Sequence, residues 1–103
     1  MTDARKVLQA LGDATRRDMV ERLTDTAMSV SALAAPYDMT LTAVGQHLAI
    51  LEAAGLVKTE KIGRVRSCSL NSAGLDVLDA WTRALRSTWE RRLDALGDVL
   101  DEK

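Results

Sequence analysis

The stretch MTLTAVGQHLAILEAAGLV, residues 39–57, predicts a helix with a defined beginning and a defined end. Four apolar residues recur at intervals of three, four and three positions, which places them on one helix face: Leu41, Val44, Leu48 and Leu51. Thr40 is a typical N-cap, because its hydroxyl can accept a hydrogen bond from a free backbone N–H. Gly55 is typical of the left-handed residue that ends a helix, with Leu56 packing back on Leu51. We therefore expect one helix, from about residue 40 to residue 54, that buries a single apolar stripe.

The other face of this helix carries small, uncharged side chains: Thr42, Ala43, Gln46, Ala49 and Ala53, with Gly45 and His47 at its edges. A face that meets only solvent usually carries Lys, Arg and Glu, and none of these stands here before Glu52. Small residues allow close approach to the major groove of DNA, where Gln46 can hydrogen-bond to adenine and Thr42 can contact a base edge. Thr40 and the free amides beside it suit a phosphate. The pattern favours a DNA-reading helix, and a face that binds another protein is the alternative.

The segments on either side complete a helix-turn-helix with a wing. Before the helix, Ser29 can cap a short helix, and Pro36 stops that helix and makes the turn. After it, two β-prone runs around Gly63-Arg64 predict a tight hairpin over residues 57–70. Around the hairpin, four basic side chains stand against one acidic side chain, for a local charge of +3. Three of the basic residues are expected to contact DNA phosphates or the minor groove: Lys61, Arg64 and Arg66.

A long helix is predicted from about residue 72 to residue 100, because apolar residues recur there at steps of three or four. It would span roughly 43 Å, whereas a compact chain of this length is roughly 33 Å across. One chain therefore cannot cover the stripe, and the same helix of a second copy is the simplest cover. The alternative, a broken helix that folds back, is disfavoured because no glycine or proline lies between Leu75 and Leu96. Together with a helix at residues 3–11, the long helix supplies the expected dimer interface: Val7, Leu8, Leu11, Leu78, Trp81, Leu85, Trp89, Leu93 and Leu96.

The composition indicates one globular domain over residues 1–103, with 47 % hydrophobic and 28 % charged residues. One proline and three aromatic residues argue against an all-β sandwich. We expect no membrane span and a cytoplasmic protein, since no apolar run approaches roughly 18 residues and no signal peptide begins the chain. The net charge of −1 counts against a generic nucleic-acid binder, which is typically basic. The expected fold class is mainly α: a winged helix-turn-helix with a small β-hairpin wing and a long C-terminal dimerisation helix.

Five segments, taken in order and with their spacing, resemble the ArsR/SmtB-type winged-helix transcriptional regulators: residues 10–17 (ALGDATRR), 30–34 (VSALA), 39–48 (MTLTAVGQHL), 51–57 (LEAAGLV) and 63–66 (GRVR). The resemblance covers nearly all of the chain. It implies a homodimeric repressor that binds operator DNA and is released by a metal or another signal. It also implies that the helix after Thr40 is the recognition helix, with Thr42, Gly45 and Gln46 at base-contacting positions and the basic hairpin as the wing.

The chain departs from the family pattern in two places. Gly45 stands where many relatives have Ser, which removes a hydroxyl and costs the helix roughly 1 kcal/mol relative to Ala, while it permits a close backbone approach. The metal-sensing members have paired cysteines on the third helix or His, Asp and Glu ligands on the fifth. Here the third helix has no cysteine and the fifth has no histidine. We therefore expect no metal site and no cofactor.

Four further side chains have more than one interpretation. His47, the single histidine, belongs to no catalytic constellation, and we expect a structural or phosphate contact, with a base contact as the alternative. Arg16 is expected to be structural and Arg17 to face solvent or phosphate. Cys68, the single cysteine, is expected to be a small buried hydrophobe, whereas a redox-sensing thiol would need exposure and a lowered pKa.

The function expected from these observations is non-enzymatic. A homodimeric repressor would read a pseudo-palindromic operator through the residue 40–54 helix, with double-stranded DNA and a second copy of the chain as its partners. Two alternatives remain at this point. One is a winged-helix protein-interaction module that does not read DNA, and the other is a repressor that responds to oxidation of Cys68.

Overall fold

The computed structural model describes residues 3–101, which form five helices and a three-stranded antiparallel sheet. The elements in chain order are α1 (Ala4–Leu11), α2 (Ala14–Leu23), β1 (Met28–Ser29), α3 (Val30–Ala34), α4 (Leu41–Ala53), β2 (Val57–Ile62), β3 (Val65–Leu70) and α5 (Ser72–Asp101). This is the mainly α winged-helix architecture predicted from the sequence.

Side-chain caps explain why the first four helices begin where they do. The side chain of Asp13 accepts a hydrogen bond from the backbone N–H of Arg16, and Thr40 does the same for Ala43. Asp3 and Ser29 cap α1 and α3 in the same way. The predicted end of α4 is confirmed, since Gly55 has a φ of 72° and Leu56 donates its amide to the Leu51 carbonyl at 3.0 Å.

The sheet consists of the predicted hairpin and one strand that the sequence did not reveal. β2 and β3 pair from Val57 opposite Leu70 to Ile62 opposite Val65, and Gly63 in the turn has a φ of 63°, which favours glycine. β1 has only two residues and pairs with β3, with Met28 opposite Cys68. A two-residue strand has no hydrophobic period of its own, so only its tertiary pairing defines it.

The core lies where α1, α2, α3, α4 and the base of the hairpin meet. Its largest fully buried side chains are Met19, Leu33, Leu51, Leu56, Val7, Val44, Val57 and Cys68. Two expectations are corrected here. Val7 is fully buried within the single chain, so it has no surface left for a dimer interface. Leu41 is 62 % exposed because it stands in the first turn of α4, beyond the edge of the core.

α5 is a single unbroken helix of 30 residues, as predicted. It makes the molecule elongated, 72 Å in its longest dimension against 25 and 23 Å in the others. Only its first turns pack on the body, through Gly74, Val77 and Leu78. The apolar stripe continues beyond that contact, where Trp89 is 62 % exposed and Leu93 is 45 % exposed.

Candidate nucleic-acid interface

The outward face of α4 carries the small, uncharged residues that the sequence predicts. Val44, Leu48 and Leu51 are buried in the core and hold the opposite face outward. The exposed residues of the helix on the predicted reading side are Thr42, Gly45, Gln46, Ala49 and Ala53, whereas Ala43 and His47 are half-buried at its edge. Thr40 is exposed at the helix start, where its hydroxyl caps the Ala43 amide at 3.1 Å. We call the surface formed by Thr42, Gly45 and Gln46 the reading face.

Gly45 stands in the middle of α4, and no contact within residues 3–101 requires a glycine there. A Cβ built on Gly45 would meet no other heavy atom within 4 Å. Glycine inside a helix lowers helix stability by roughly 1 kcal/mol relative to alanine. Because Gly45 has no side chain, nothing protrudes from the reading face at this position. The glycine lowers the stability of α4, and no packing contact within residues 3–101 compensates for that loss.

The basic residues of the hairpin are exposed beside the reading face. Lys61 and Arg66 stand opposite each other in the β2–β3 register, and Arg64 lies in the turn. Arg66 donates from Nη2 to Thr59 Oγ1 at 3.2 Å, and Thr59 in turn donates to Glu52 of α4 from both its hydroxyl and its amide, at 3.0 and 3.2 Å. This chain of hydrogen bonds connects the wing to the end of α4.

Arg16 joins three parts of the fold. Its Nε donates to the Ala10 carbonyl at 2.7 Å and its Nη2 to the Gln9 carbonyl at 3.2 Å, so it caps the last turn of α1. Its Nη1 lies 3.3 Å from Nδ1 of His47 on α4. The backbone N–H of Arg16 is the main cause of a lowered pKa at Asp13, with a smaller contribution from the charge of Arg16. The expected structural role of Arg16 is confirmed.

Arg17 caps α1 too, donating from Nη1 to the Leu11 carbonyl at 2.8 Å while it remains exposed as expected.

Arg22 holds the turn between α3 and α4, and sequence reasoning missed it. It donates from Nη1 to the Leu33 carbonyl at 2.7 Å and lies 5.3 Å from the ring centroid of Tyr37. The Tyr37 hydroxyl donates to Asp18 Oδ2 at 2.5 Å, and partial burial together with this carboxylate raises the pKa of Tyr37. An arginine on α2 has no sequence signal that indicates which carbonyls it caps, because its partners come from α3.

Comparison with known proteins identifies the family. A family model described as a helix-turn-helix domain matches residues 11–60. The HTH-type transcriptional regulator Rv2034 of Mycobacterium tuberculosis is 39 % identical over 95 residues, which covers 87 % of this chain and 88 % of that protein. A crystal structure of an ArsR family transcriptional regulator matches with a TM-score of 0.79 and 37 % identity, covering 84 % of this chain and 89 % of that one. The chain belongs to the ArsR family of helix-turn-helix transcriptional regulators.

A second solved structure extends the ArsR-family likeness to nearly the whole chain. The ArsR-like transcriptional regulator from Rhodococcus sp. RHA1 superposes with a TM-score of 0.83 and 29 % identity, over 97 % of this chain and 94 % of that one. DNA binding is the function of the ArsR family, and the matched helix-turn-helix region of this chain, residues 11–60, contains α3 and α4.

Cys68 lies inside the core of this ArsR-family chain. Its side chain is fully buried in the core at the centre of β3, and it is free. Burial raises the pKa of the Cys68 thiol, and the nearby charge of Arg66 offsets this only in part. A sensing thiol needs exposure and a lowered pKa, so the burial and the raised pKa of Cys68 favour the expected buried hydrophobe over the redox alternative.

Over residues 3–101 the structure brings together no group of three His, Cys, Asp or Glu side chains that could hold a metal ion. Within the same residues, no helix combines the length and apolar character that crossing a membrane requires.

Proposed function

We propose that this chain is a homodimeric repressor, acting in the cytoplasm, that reads a pseudo-palindromic operator with the α4 helices of two copies. The observation that carries the proposal is the reading face itself: an uncharged helix surface of small side chains, with Arg66 of the exposed basic hairpin near Gly45. Gln46 would hydrogen-bond to a base, and Thr42 would contact a neighbouring base edge. Repression would follow from occupying the site that RNA polymerase needs.

The uneven distribution of charge along the chain supports different roles for α4 and the wing in DNA binding. The whole chain has a net charge of −1, so non-specific attraction to DNA is weak. The local charge of +3 lies around the hairpin, where Lys61 and Arg64 are free to contact phosphates. The wing would set affinity and register, and the reading face would set sequence preference.

The exposed stripe of α5 supports the dimer. It continues from Trp81, which lies beside α1, to Leu96 on the part of the helix that extends beyond the body, and Leu8 of α1 adds to it at 43 % exposure. A continuous apolar stripe of this length would aggregate in water unless it is covered. A second copy about a two-fold axis covers it with an identical stripe and holds two reading faces at a fixed separation.

The test is the affinity of variants for a DNA site selected by the protein from genomic fragments, and for single-base variants of that site. Gln46→Ala is expected to weaken the selected site by roughly 1–3 kcal/mol and to relax the preference at one base position in each half-site. Arg64→Ala is expected to weaken all sequences alike and to lower the salt dependence.

Arg91→Ala is the matched control, because Arg91 is an exposed arginine on α5 far from the wing and should leave affinity unchanged. Equal losses on every sequence from Gln46→Ala would contradict the assignment of the reading face. A protein that selects no DNA would favour the interaction-module alternative.

A further inference from the structure

Within the described residues 3–101, two side chains of α4 form hydrogen bonds with other elements of the fold. One contact joins Glu52, near the end of the helix, to Thr59 of the wing. The other joins His47, in the reading half of the helix, to Arg16 of α2. His47 is the neighbour of Gln46 in the sequence, so the contact with Arg16 lies in the N-terminal half of α4, whereas the contact with Thr59 lies near its C-terminal end. The contact with Arg16 therefore holds the His47 side chain on the part of α4 that would face DNA.

The chemistry of this contact determines where the His47 proton is. The arginine guanidinium is always charged and can only donate hydrogen bonds. Nδ1 of His47, 3.3 Å from Arg16 Nη1, must therefore accept, and the neutral ring carries its proton on Nε2. Among residues 3–101 no group accepts a hydrogen bond from Nε2, and the side chain is half-exposed.

We propose that Arg16 is a positioning residue for DNA binding, which holds His47 so that its Nε2–H donates to an acceptor of the bound DNA. The proposal deepens the proposed function and rests on it, because it requires that α4 faces DNA. The acceptor is a phosphate oxygen or a base-edge atom, since both offer a lone pair to the same N–H. Arg16 itself does not touch DNA in this account.

The guanidinium is well suited to this role because it cannot move independently. Two of its donors are engaged by the Gln9 and Ala10 carbonyls in the last turn of α1. The planar fork then directs a third donor, on Nη1, at His47. A side chain that was only filling space would not need three directed hydrogen bonds, and a lysine could not make them in this geometry.

Two substitutions at His47 separate its two nitrogens. In His47→Asn the amide oxygen can replace Nδ1 as the acceptor for Arg16, while nothing replaces Nε2. In His47→Gln the longer side chain can place an N–H near the position of Nε2. We expect His47→Asn to weaken operator binding by about tenfold or more, as the loss of a hydrogen bond to a charged or polar DNA group would. We expect His47→Gln to bind DNA more tightly than His47→Asn, because it keeps the N–H donor although it loses the acceptor for Arg16. Equal affinities for wild type and His47→Asn would overturn the proposal.

A double-mutant cycle tests whether Arg16 acts through His47. Arg16→Met keeps the aliphatic stem and removes every donor. If Arg16 is a positioning residue, this change lowers operator affinity severalfold when His47 is present and has little further effect in the His47→Asn background. A purely structural role would give the same loss in both backgrounds, and that result would overturn the proposal. Thermal unfolding of each variant shows that binding is compared between folded proteins.

A spectroscopic measurement keeps the proposal testable if Arg16→Met does not fold. The chain has one histidine, so the imidazole nitrogens of wild-type protein are unambiguous in a long-range ¹H–¹⁵N spectrum. We expect a protonated Nε2 and an unprotonated Nδ1 in the neutral ring. A proton on Nδ1 would overturn the proposal.

Comparing affinities for selected and random DNA identifies the acceptor of the His47 hydrogen bond. The same comparison, extended to Gln46→Ala, distinguishes failure of this proposal from failure of the proposed function. A loss from His47→Asn that is equal on selected and random DNA assigns the acceptor to a phosphate, and a loss confined to the selected site assigns it to a base. Gln46→Ala is measured beside it. If Gln46→Ala loses sequence preference while His47→Asn loses nothing, α4 still reads DNA and only the role of Arg16 and His47 fails. If neither variant loses anything, the proposed function itself fails.

Discussion

Gly74 at the start of α5 donates its amide to the carbonyl of Gly55, the residue that ends α4, at 2.7 Å. A Cβ on Gly74 would lie 2.7 Å from the Ala54 carbonyl oxygen and 2.9 Å from that of Gly55. The first turn of α5 is therefore in direct backbone contact with the segment that follows α4. In the proposed dimer, this contact relates the α5 interface to the direction of the reading face.

Gly74→Ala should destabilise the fold, because its Cβ would have to displace rigid backbone atoms. We expect the free energy of unfolding to fall by about 1–3 kcal/mol, the usual cost of overpacking. Gly97→Ala is the matched control, since a Cβ at Gly97 in the same helix meets nothing within 4 Å. That control should leave the stability unchanged or raise it by up to about 1 kcal/mol. Chemical denaturation of both variants measures the difference, and equal stabilities would refute this view of the contact.

Gly45→Ala should separate stability from function. The substitution adds a methyl group that meets no other atom of residues 3–101 within 4 Å, so α4 should gain about 0.5–1 kcal/mol. The same methyl group would stand on the reading face between Thr42 and Gln46, and we expect affinity for the selected DNA site to fall. Thermal unfolding and DNA titration measure the two effects. A variant that is more stable and binds DNA as tightly as wild type would show that DNA binding does not need the absence of a side chain at position 45.

Cys68 should be unreactive while the protein is folded. The side chain is fully buried and its pKa is raised, so the thiolate that reacts with disulfide reagents is both scarce and inaccessible. We expect labelling by an aromatic disulfide at pH 8 to be at least about 100-fold slower than in denaturant, and mild oxidation to leave DNA binding intact. Cys68→Ser, which cannot be oxidised in this way, is the control. Rapid labelling of the folded protein would reopen the redox alternative.

The exposed stripe of α5 should be required for self-association. Leu93→Glu places a charge in the centre of the stripe, and we expect it to convert the dimer to a monomer at micromolar concentration. Ser87→Glu introduces the same charge on the opposite face of the helix, by the 3.6-residue period, and should remain a dimer. Sedimentation equilibrium distinguishes the two states. Monomeric wild-type protein, or a dimeric Leu93→Glu variant, would contradict the proposed interface.

The elements that could be predicted from the sequence are those with a local chemical cause. Thr40 and Gly55 define the beginning and end of α4 through their own backbone and side-chain chemistry, and Gly63 defines the hairpin turn. The long α5 followed from an uninterrupted period of three or four. Each of these signals lies within a few residues of the structure that it specifies.

The features that could not be predicted depend on partners distant in the chain. Val7 follows the same helical period as Leu8, and only the packing of the other helices shows that it is buried and Leu8 exposed. Arg16 contacts a residue 31 positions away, which no local pattern reveals. Strand β1 exists only because β3 passes beside it.

Hydroxyl-radical footprinting of a selected DNA site, combined with the stoichiometry of the complex, tests the central claim most directly. Two α5 helices that hold two reading faces apart predict two protected segments, centred one helical turn or about 34 Å apart and related by a two-fold axis, with two chains bound. One protected segment with one chain bound would contradict the account.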